Sequence, residues 1–96
     1  MIHKIYTIMK KIVIYSSNTC PYCISAKKLL ENQNLTYSEK VIDNNLKIKD
    51  EMIELSAGKK TVPQIFFGKF HVGGYDDLEI IYRTGKLMSL LNEKKI

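Results

Sequence analysis

Cys20 and Cys23 are the only cysteines of the chain, and they stand two residues apart in the run Cys20-Pro21-Tyr22-Cys23. That spacing lets the sulfurs meet in a small disulfide ring when the second cysteine lies in the first turn of a helix. Pro21 suits such a turn, because its fixed φ fits the first helical position and its missing N–H removes a donor that would go unpaired. Cys20 is then the helix N-cap, where free N–H groups and the positive end of the helix dipole stabilise a thiolate. The thiolate is the reactive form, so a pair built this way points to thiol–disulfide chemistry.

Two further runs carry candidate binding groups. Thr61-Val62-Pro63 leads into a strand, a place where proline is tolerated because it starts the strand rather than interrupting it. If the Val62-Pro63 bond is cis, the turn is tight and presents the Val62 N–H and C=O to an extended peptide; an ordinary trans proline at a strand start is the alternative. Gly73-Gly74-Tyr75-Asp76-Asp77 places two glycines before a helix that opens on two carboxylates. The glycines permit a sharp turn and close approach, the free N–H groups of the helix start can hold an anion, and Asp77 can accept from an ammonium group. Plain N-terminal capping by the acidic side chains explains the same pattern.

The elements that must position these residues follow from periodicity. Residues 11–16 form an apolar, β-branched run that reads as a buried strand. Over 21–34 the residues Cys23, Ala26, Leu29 and Leu30 recur at helical steps while Lys27, Lys28 and Glu31 face out, an amphipathic helix. Residues 36–42 alternate as a second strand, parallel to the first across that helix. A second helix over 46–57 turns Ile48, Met52, Ile53 and Leu55 inward and stops at Gly58. Residues 64–67 and 69–72 form a hairpin near Gly68, a third helix over 76–84 turns Leu78, Ile81 and Tyr82 inward, and Leu87, Leu90 and Leu91 mark a short last helix. The order predicts an α/β fold, a four-stranded mixed sheet with helices on both faces.

A chain of 96 residues, 45% hydrophobic, is one domain with a single compact core. It contains no apolar run of about 18 residues, so no membrane span is expected. Residues 1–8 precede what looks like a second start at Met9-Lys10-Lys11; they are expected to be a frayed extension, with the domain proper over 9–96, and they do not read as a signal peptide. Without an export signal, two cysteines read better as catalytic or metal-binding than as a structural staple, which places the protein in a reducing cytoplasm. The net charge of +5 comes mostly from lysines spread in pairs along the chain, a solvated surface without the concentrated charge of a nucleic-acid binder.

Together, in this order and spacing, Cys20-Pro21-Tyr22-Cys23, Thr61-Val62-Pro63 and Gly73-Gly74-Tyr75-Asp76-Asp77 resemble the dithiol glutaredoxin family over residues 9–91. The resemblance implies a thioredoxin-like fold and reduction of glutathionyl mixed disulfides and protein disulfides, with glutathione as co-substrate and no metal. It makes Cys20 the nucleophile and Cys23 the resolving thiol. It makes Pro63 the cis proline, Thr61 and Val62 the docking site for the cysteinyl residue of glutathione, and Asp76 and Asp77 the clamp for its γ-glutamyl end, with Lys60, Gly74 and Tyr75 also binding the tripeptide. Tyr22 would flank the tripeptide. Relatives often carry a lysine where this chain has Ser17, and Lys59 or Lys60 would supply that charge; relatives also often have a third cysteine where Tyr75 stands. The partners implied are glutathione and glutathionylated or disulfide-containing proteins, met by a monomer.

Two rival readings differ in class. A 2Fe–2S cluster carrier would use the leading cysteine and glutathione as ligands between two subunits, but cluster-binding relatives usually have a small residue where Pro21 stands. A zinc site would need two more ligands, and His3 and His71 have no ligand-like spacing to the cysteines. A thioredoxin-type role, independent of glutathione, shares the same chemistry.

Overall fold

The computed structural model describes residues 7–94. In chain order they form β1 (Thr7–Met9), β2 (Ile12–Ser16), α1 (Pro21–Asn32), β3 (Ser38–Val41), α2 (Leu46–Leu55), β4 (Gln64–Phe67), β5 (Phe70–Gly73), α3 (Tyr75–Arg83), α4 (Leu87–Leu91) and β6 (Asn92–Lys94). The expected four-stranded mixed sheet is present, in the order β3-β2-β4-β5. β2 runs parallel to β3, with Val13 opposite Ser38, because α1 carries the chain back across the sheet between them. β2 and β4 are antiparallel, with Ile14 opposite Ile65, and β4 and β5 close the sheet as a hairpin.

Strand alternation sends residues to two different layers. Ile12, Ile14, Ile65 and Phe67 point to one face, where they meet Ala26 and Leu30 of α1, Leu78 of α3 and Leu87 and Leu91 of α4. Tyr15 and Phe66 point to the other, where α2 supplies Met52. The first face is an apolar core. The second is thinner and partly polar: the Tyr15 hydroxyl donates to Glu51, which also pairs with Lys40.

Several edges differ from the sequence reading. α2 stops at Leu55, and Leu55 is 56% exposed, bordering an open groove over Val13 and Phe66 instead of entering the core. Tyr82 of α3 is likewise 43% exposed, while Leu78 is fully buried and Ile81 packs against the core. A tyrosine at a helix margin can cover apolar surface with its ring and keep its hydroxyl in water. Of the segment 1–8, only the last two residues are described: Thr7 and Ile8 extend with Met9 into β1 and pair antiparallel with β6, Ile8 opposite Glu93. Residues 1–6 lie outside the described residues.

Candidate active site

β2 ends at Ser16, and the loop of Ser17, Asn18 and Thr19 turns the chain into α1. Asp43, just beyond β3, holds that loop through both carboxylate oxygens: the Ser17 hydroxyl donates to Oδ1 at 2.7 Å and the Asn18 N–H to Oδ2 at 2.8 Å. These two bonds, the Ser17 hydroxyl first, hold the Asp43 carboxyl below its ordinary range. Ser17 therefore faces a carboxylate. The Ser17 carbonyl in turn accepts from the Cys20 N–H at 3.3 Å.

Cys20 is the N-cap of α1, in extended conformation at φ −106° and ψ 107°, with Pro21 next. Its sulfur accepts from the Cys23 N–H at 3.1 Å, so a thiol side chain fills the place usually taken by a serine or aspartate oxygen. The first turn of α1 holds no acidic residue, and its free N–H groups are left to the sulfur. The two cysteines are unequal. Cys20 is partly exposed, whereas Cys23 is fully buried. Burial first, and then its hydrogen bond with Cys20, pushes the Cys23 thiol up to about 12. At neutral pH Cys23 thus keeps its proton, and Cys20 is the sulfur a substrate can reach.

Across from Cys20 lies the segment before β4. The Val62-Pro63 peptide bond is cis, and the Cys20 thiol points at the Val62 carbonyl at 3.6 Å. Upstream, the buried Ser56 hydroxyl accepts from the Lys59 N–H and bonds the Lys59 carbonyl, both at 3.2 Å, which fixes the approach to Thr61.

The far wall of the groove is the start of α3. Gly73 has φ +113°, and a Cβ there would lie 2.2 Å from Asp77 Oδ2, so both backbone and space require glycine. Asp77 reaches back to the Gly74 N–H at 3.0 Å, half of a capping box. Gly74 is less constrained: its φ is −92°, and an added Cβ would meet the Pro63 carbonyl oxygen at an ordinary 3.6 Å. Tyr22 and Tyr75 stack across the opening at 6.2 Å between ring centroids, with Tyr22 63% exposed.

Of the residues singled out from the sequence, Tyr22, Thr61, Val62, Pro63, Gly74, Tyr75, Asp76 and Asp77 line one groove. Lys60 is not on its wall; the lysine there is Lys59. Gly73 and Gln64 also line the groove; Gly73 stood out only as one of a glycine pair, and Gln64 not at all. The positive φ of Gly73 was legible as one of two adjacent glycines, but the choice between them depends on where the Asp77 carboxylate lands. Gln64 had no local signal.

A thiol pair at a helix start, facing a cis proline on a four-stranded mixed sheet, defines a thioredoxin-like oxidoreductase. The family model described as Glutaredoxin matches residues 12–72. Glutaredoxin 1 of Rickettsia prowazekii is 44% identical over 89 residues, which cover 92% of this chain and 94% of the relative. The solution structure of glutaredoxin from Brucella melitensis superposes with a TM-score of 0.75 at 42% identity, covering 86% of this chain and 89% of that one. The crystal structure of a buckwheat glutaredoxin–glutathione complex gives a TM-score of 0.76 at 30% identity over 85% of this chain and 76% of that one. The chain belongs to the glutaredoxin family, and it is a thiol–disulfide oxidoreductase of that kind.

Proposed function

We propose that the chain reduces glutathionyl mixed disulfides and protein disulfides through Cys20 and Cys23, with glutathione as the reductant. The observation that carries this reading is the inequality of the two sulfurs: Cys20 caps α1 with its thiol on the carbonyl of Val62, which lines the groove, and Cys23 is buried behind it with its proton retained. In the first step the Cys20 thiolate attacks the glutathione sulfur of a mixed disulfide. The old S–S bond breaks, the substrate thiolate leaves and takes a proton from water, and Cys20 carries glutathione in a new disulfide. A second glutathione thiolate then attacks the glutathione sulfur of that adduct, which releases glutathione disulfide and restores the Cys20 thiolate. With a protein disulfide, Cys20 forms the mixed disulfide and Cys23 attacks the Cys20 sulfur to close the ring, giving up its proton to the departing thiolate. Two glutathione molecules reduce the ring.

In this reading the glutathione cysteinyl residue pairs with the Val62 backbone as an added strand, with Thr61 and Pro63 shaping the edge. The γ-glutamyl carboxylate sits on the free N–H groups at the start of α3, those of Tyr75 and Asp76 beside Gly74, and the ammonium meets Asp77. Tyr22 and Tyr75 wall the opening. Lys59, with Lys60 beside it, draws the glycine carboxylate in place of the lysine that Ser17 replaces. Its setting would be the cytoplasm, where a glutathione pool regenerates the pair and glutathionylated proteins are the substrates of a monomer.

The test is turnover of a small glutathione mixed disulfide, coupled to glutathione reductase, by the wild type, Cys23→Ser, Cys20→Ser and Asp77→Ala. Wild type and Cys23→Ser should both turn over, Cys20→Ser should not, and Asp77→Ala should raise KM. Ordinary activity in Cys20→Ser would sink the assignment.

A further inference from the structure

Gln64 is the first residue of β4, directly after the cis proline, and only 4% of it is exposed. A buried primary amide must place two donors and an acceptor, and here each has a partner. Nε2 lies 3.0 Å from the Thr61 carbonyl oxygen and 3.2 Å from Thr61 Oγ1. A carbonyl oxygen only accepts, so this end of the amide is the NH2 group, and Oε1 turns the other way. There it meets His71 Nε2 at 2.6 Å. An amide oxygen only accepts, so His71 Nε2 is the donor, a role that both the Nε2–H tautomer and the imidazolium fill.

The histidine is itself anchored. It stands opposite Phe66 in the β4–β5 ladder, and the two rings stack at 4.8 Å and 23°. A chain of contacts therefore runs from the hairpin through His71 and Gln64 to Thr61, on the face of the sheet away from α1. It ends on one carbonyl of the dipeptide Thr61-Val62, while the next carbonyl, that of Val62, faces the Cys20 thiol at 3.6 Å. Two successive peptide groups at the groove edge are held by two different partners, one from the sheet and one from the redox helix.

We propose that Gln64 is a positioning residue for glutathione docking, with His71 holding its amide so that Thr61 and Val62 keep the edge the tripeptide adds to. The inference rests on the glutathione reading of the groove. Gln64 touches no reacting atom; it acts through the Thr61 carbonyl. Without its NH2 group the Thr61 carbonyl is free to turn, and docking weakens while the Cys20 sulfur keeps its own contacts with α1.

The test measures KM and kcat for a small-thiol–glutathione mixed disulfide, together with the rate of Cys20 alkylation by iodoacetamide, in Gln64→Glu, Gln64→Met and His71→Phe. Gln64→Glu keeps the size of the side chain and loses the donor. His71→Phe keeps a ring against Phe66 and loses the hydrogen bond to Oε1. KM should rise about threefold to tenfold in the Gln64 variants, the loss of roughly one buried hydrogen bond, and less in His71→Phe. Alkylation should stay within about twofold of wild type, and the Gln64→Met, His71→Phe double variant should fall short of the sum of the singles, because both break one chain. Unchanged KM in the Gln64 variants, with Asp77→Ala raising it, would overturn the inference alone. Unchanged KM in Asp77→Ala as well would overturn the groove reading beneath it. A parallel fall in alkylation would place Gln64 in the surroundings of the sulfur and remove the positioning role. Should Gln64→Met fail to fold, the isosteric Gln64→Glu and His71→Phe decide the matter.

Discussion

Two helix starts face each other across the groove, and they are finished in opposite ways. α1 begins with a sulfur as its cap, a proline in the first position and no acidic residue in its first turn. α3 begins with a glycine cap and two carboxylates in its first turn, one of which, Asp77, folds back on the cap N–H. Both ends carry the same partial positive charge from aligned peptide dipoles. At α1 that charge is left for the Cys20 sulfur. At α3 it is partly answered by the protein's own carboxylates, which suits the proposed ligand, one that carries both signs of charge. A helix dipole by itself does not make a reactive site; what stands in its first turn decides.

The sharpest way to break the comparison is at the α1 cap. Cys20→Ser keeps a capping oxygen, and with it the helix, but should drop turnover in the coupled assay to background; Cys23→Ser should keep reduction of the small mixed disulfide. Next in size is Gly73→Ala. An alanine there meets both a left-handed backbone and the Asp77 carboxylate, so a loss of about 1–3 kcal/mol is expected from the denaturant midpoint, and the α3 cap should open. Asp77→Ala removes the cap without the strain, and stability should fall by about 0.5–2 kcal/mol alongside the rise in KM. If Gly73→Ala were no worse than Asp77→Ala, the close approach between the two residues would be relieved by movement.

A pH series sharpens the difference between the cysteines. Burial and its hydrogen bond with Cys20 raise the Cys23 thiol from an ordinary value of 9.0 to about 12. Between those values an unfolded chain has released this proton and the folded chain still holds it. The unfolded state then binds fewer protons, so stability falls as pH rises through that window and is unaffected below it. Cys23→Ser should lose stability less steeply than wild type over the same range, read from denaturant midpoints at successive pH values. The smallest effect belongs to Gly74→Ala, expected within about 0.5 kcal/mol of wild type in denaturant melts, because its backbone suits any residue and its Cβ would make only an ordinary contact.

Much of the fold was legible because its signals are local. The β-branched run before the cysteines, the helical spacing of Cys23, Ala26 and Leu30, and the turn at Gly68 each declare an element within a few residues. The errors sit at element ends. Leu55 has the right phase for the buried side of α2, but phase says nothing about whether the neighbouring layer extends far enough to cover the last turn. The pairing of β1 with β6 joins the two ends of the described chain, and a three-residue strand with its partner so far away leaves almost no pattern to read.

The sequence alone pointed to the chemistry, since Cys20, Pro21 and Cys23 need only one helical turn to become a sulfur cap, a compatible first residue and a second thiol. It also marked the two walls of the groove, because a proline entering a strand and paired glycines entering a helix are local backbone statements. Only the tertiary structure decided which lysine borders the groove, which glycine cannot be replaced, and what holds the edge opposite the cysteine. Asp43 grips the Ser17 loop from 26 residues away, and the Val62 carbonyl meets the Cys20 thiol across 42. Gln64 joins Thr61 to His71 only because the hairpin brings β5 beside β4. Hydrogen-bonding groups this short have a reach of about 3 Å, so their partners are set by how the sheet and helices pack, and no spacing along the chain can announce them.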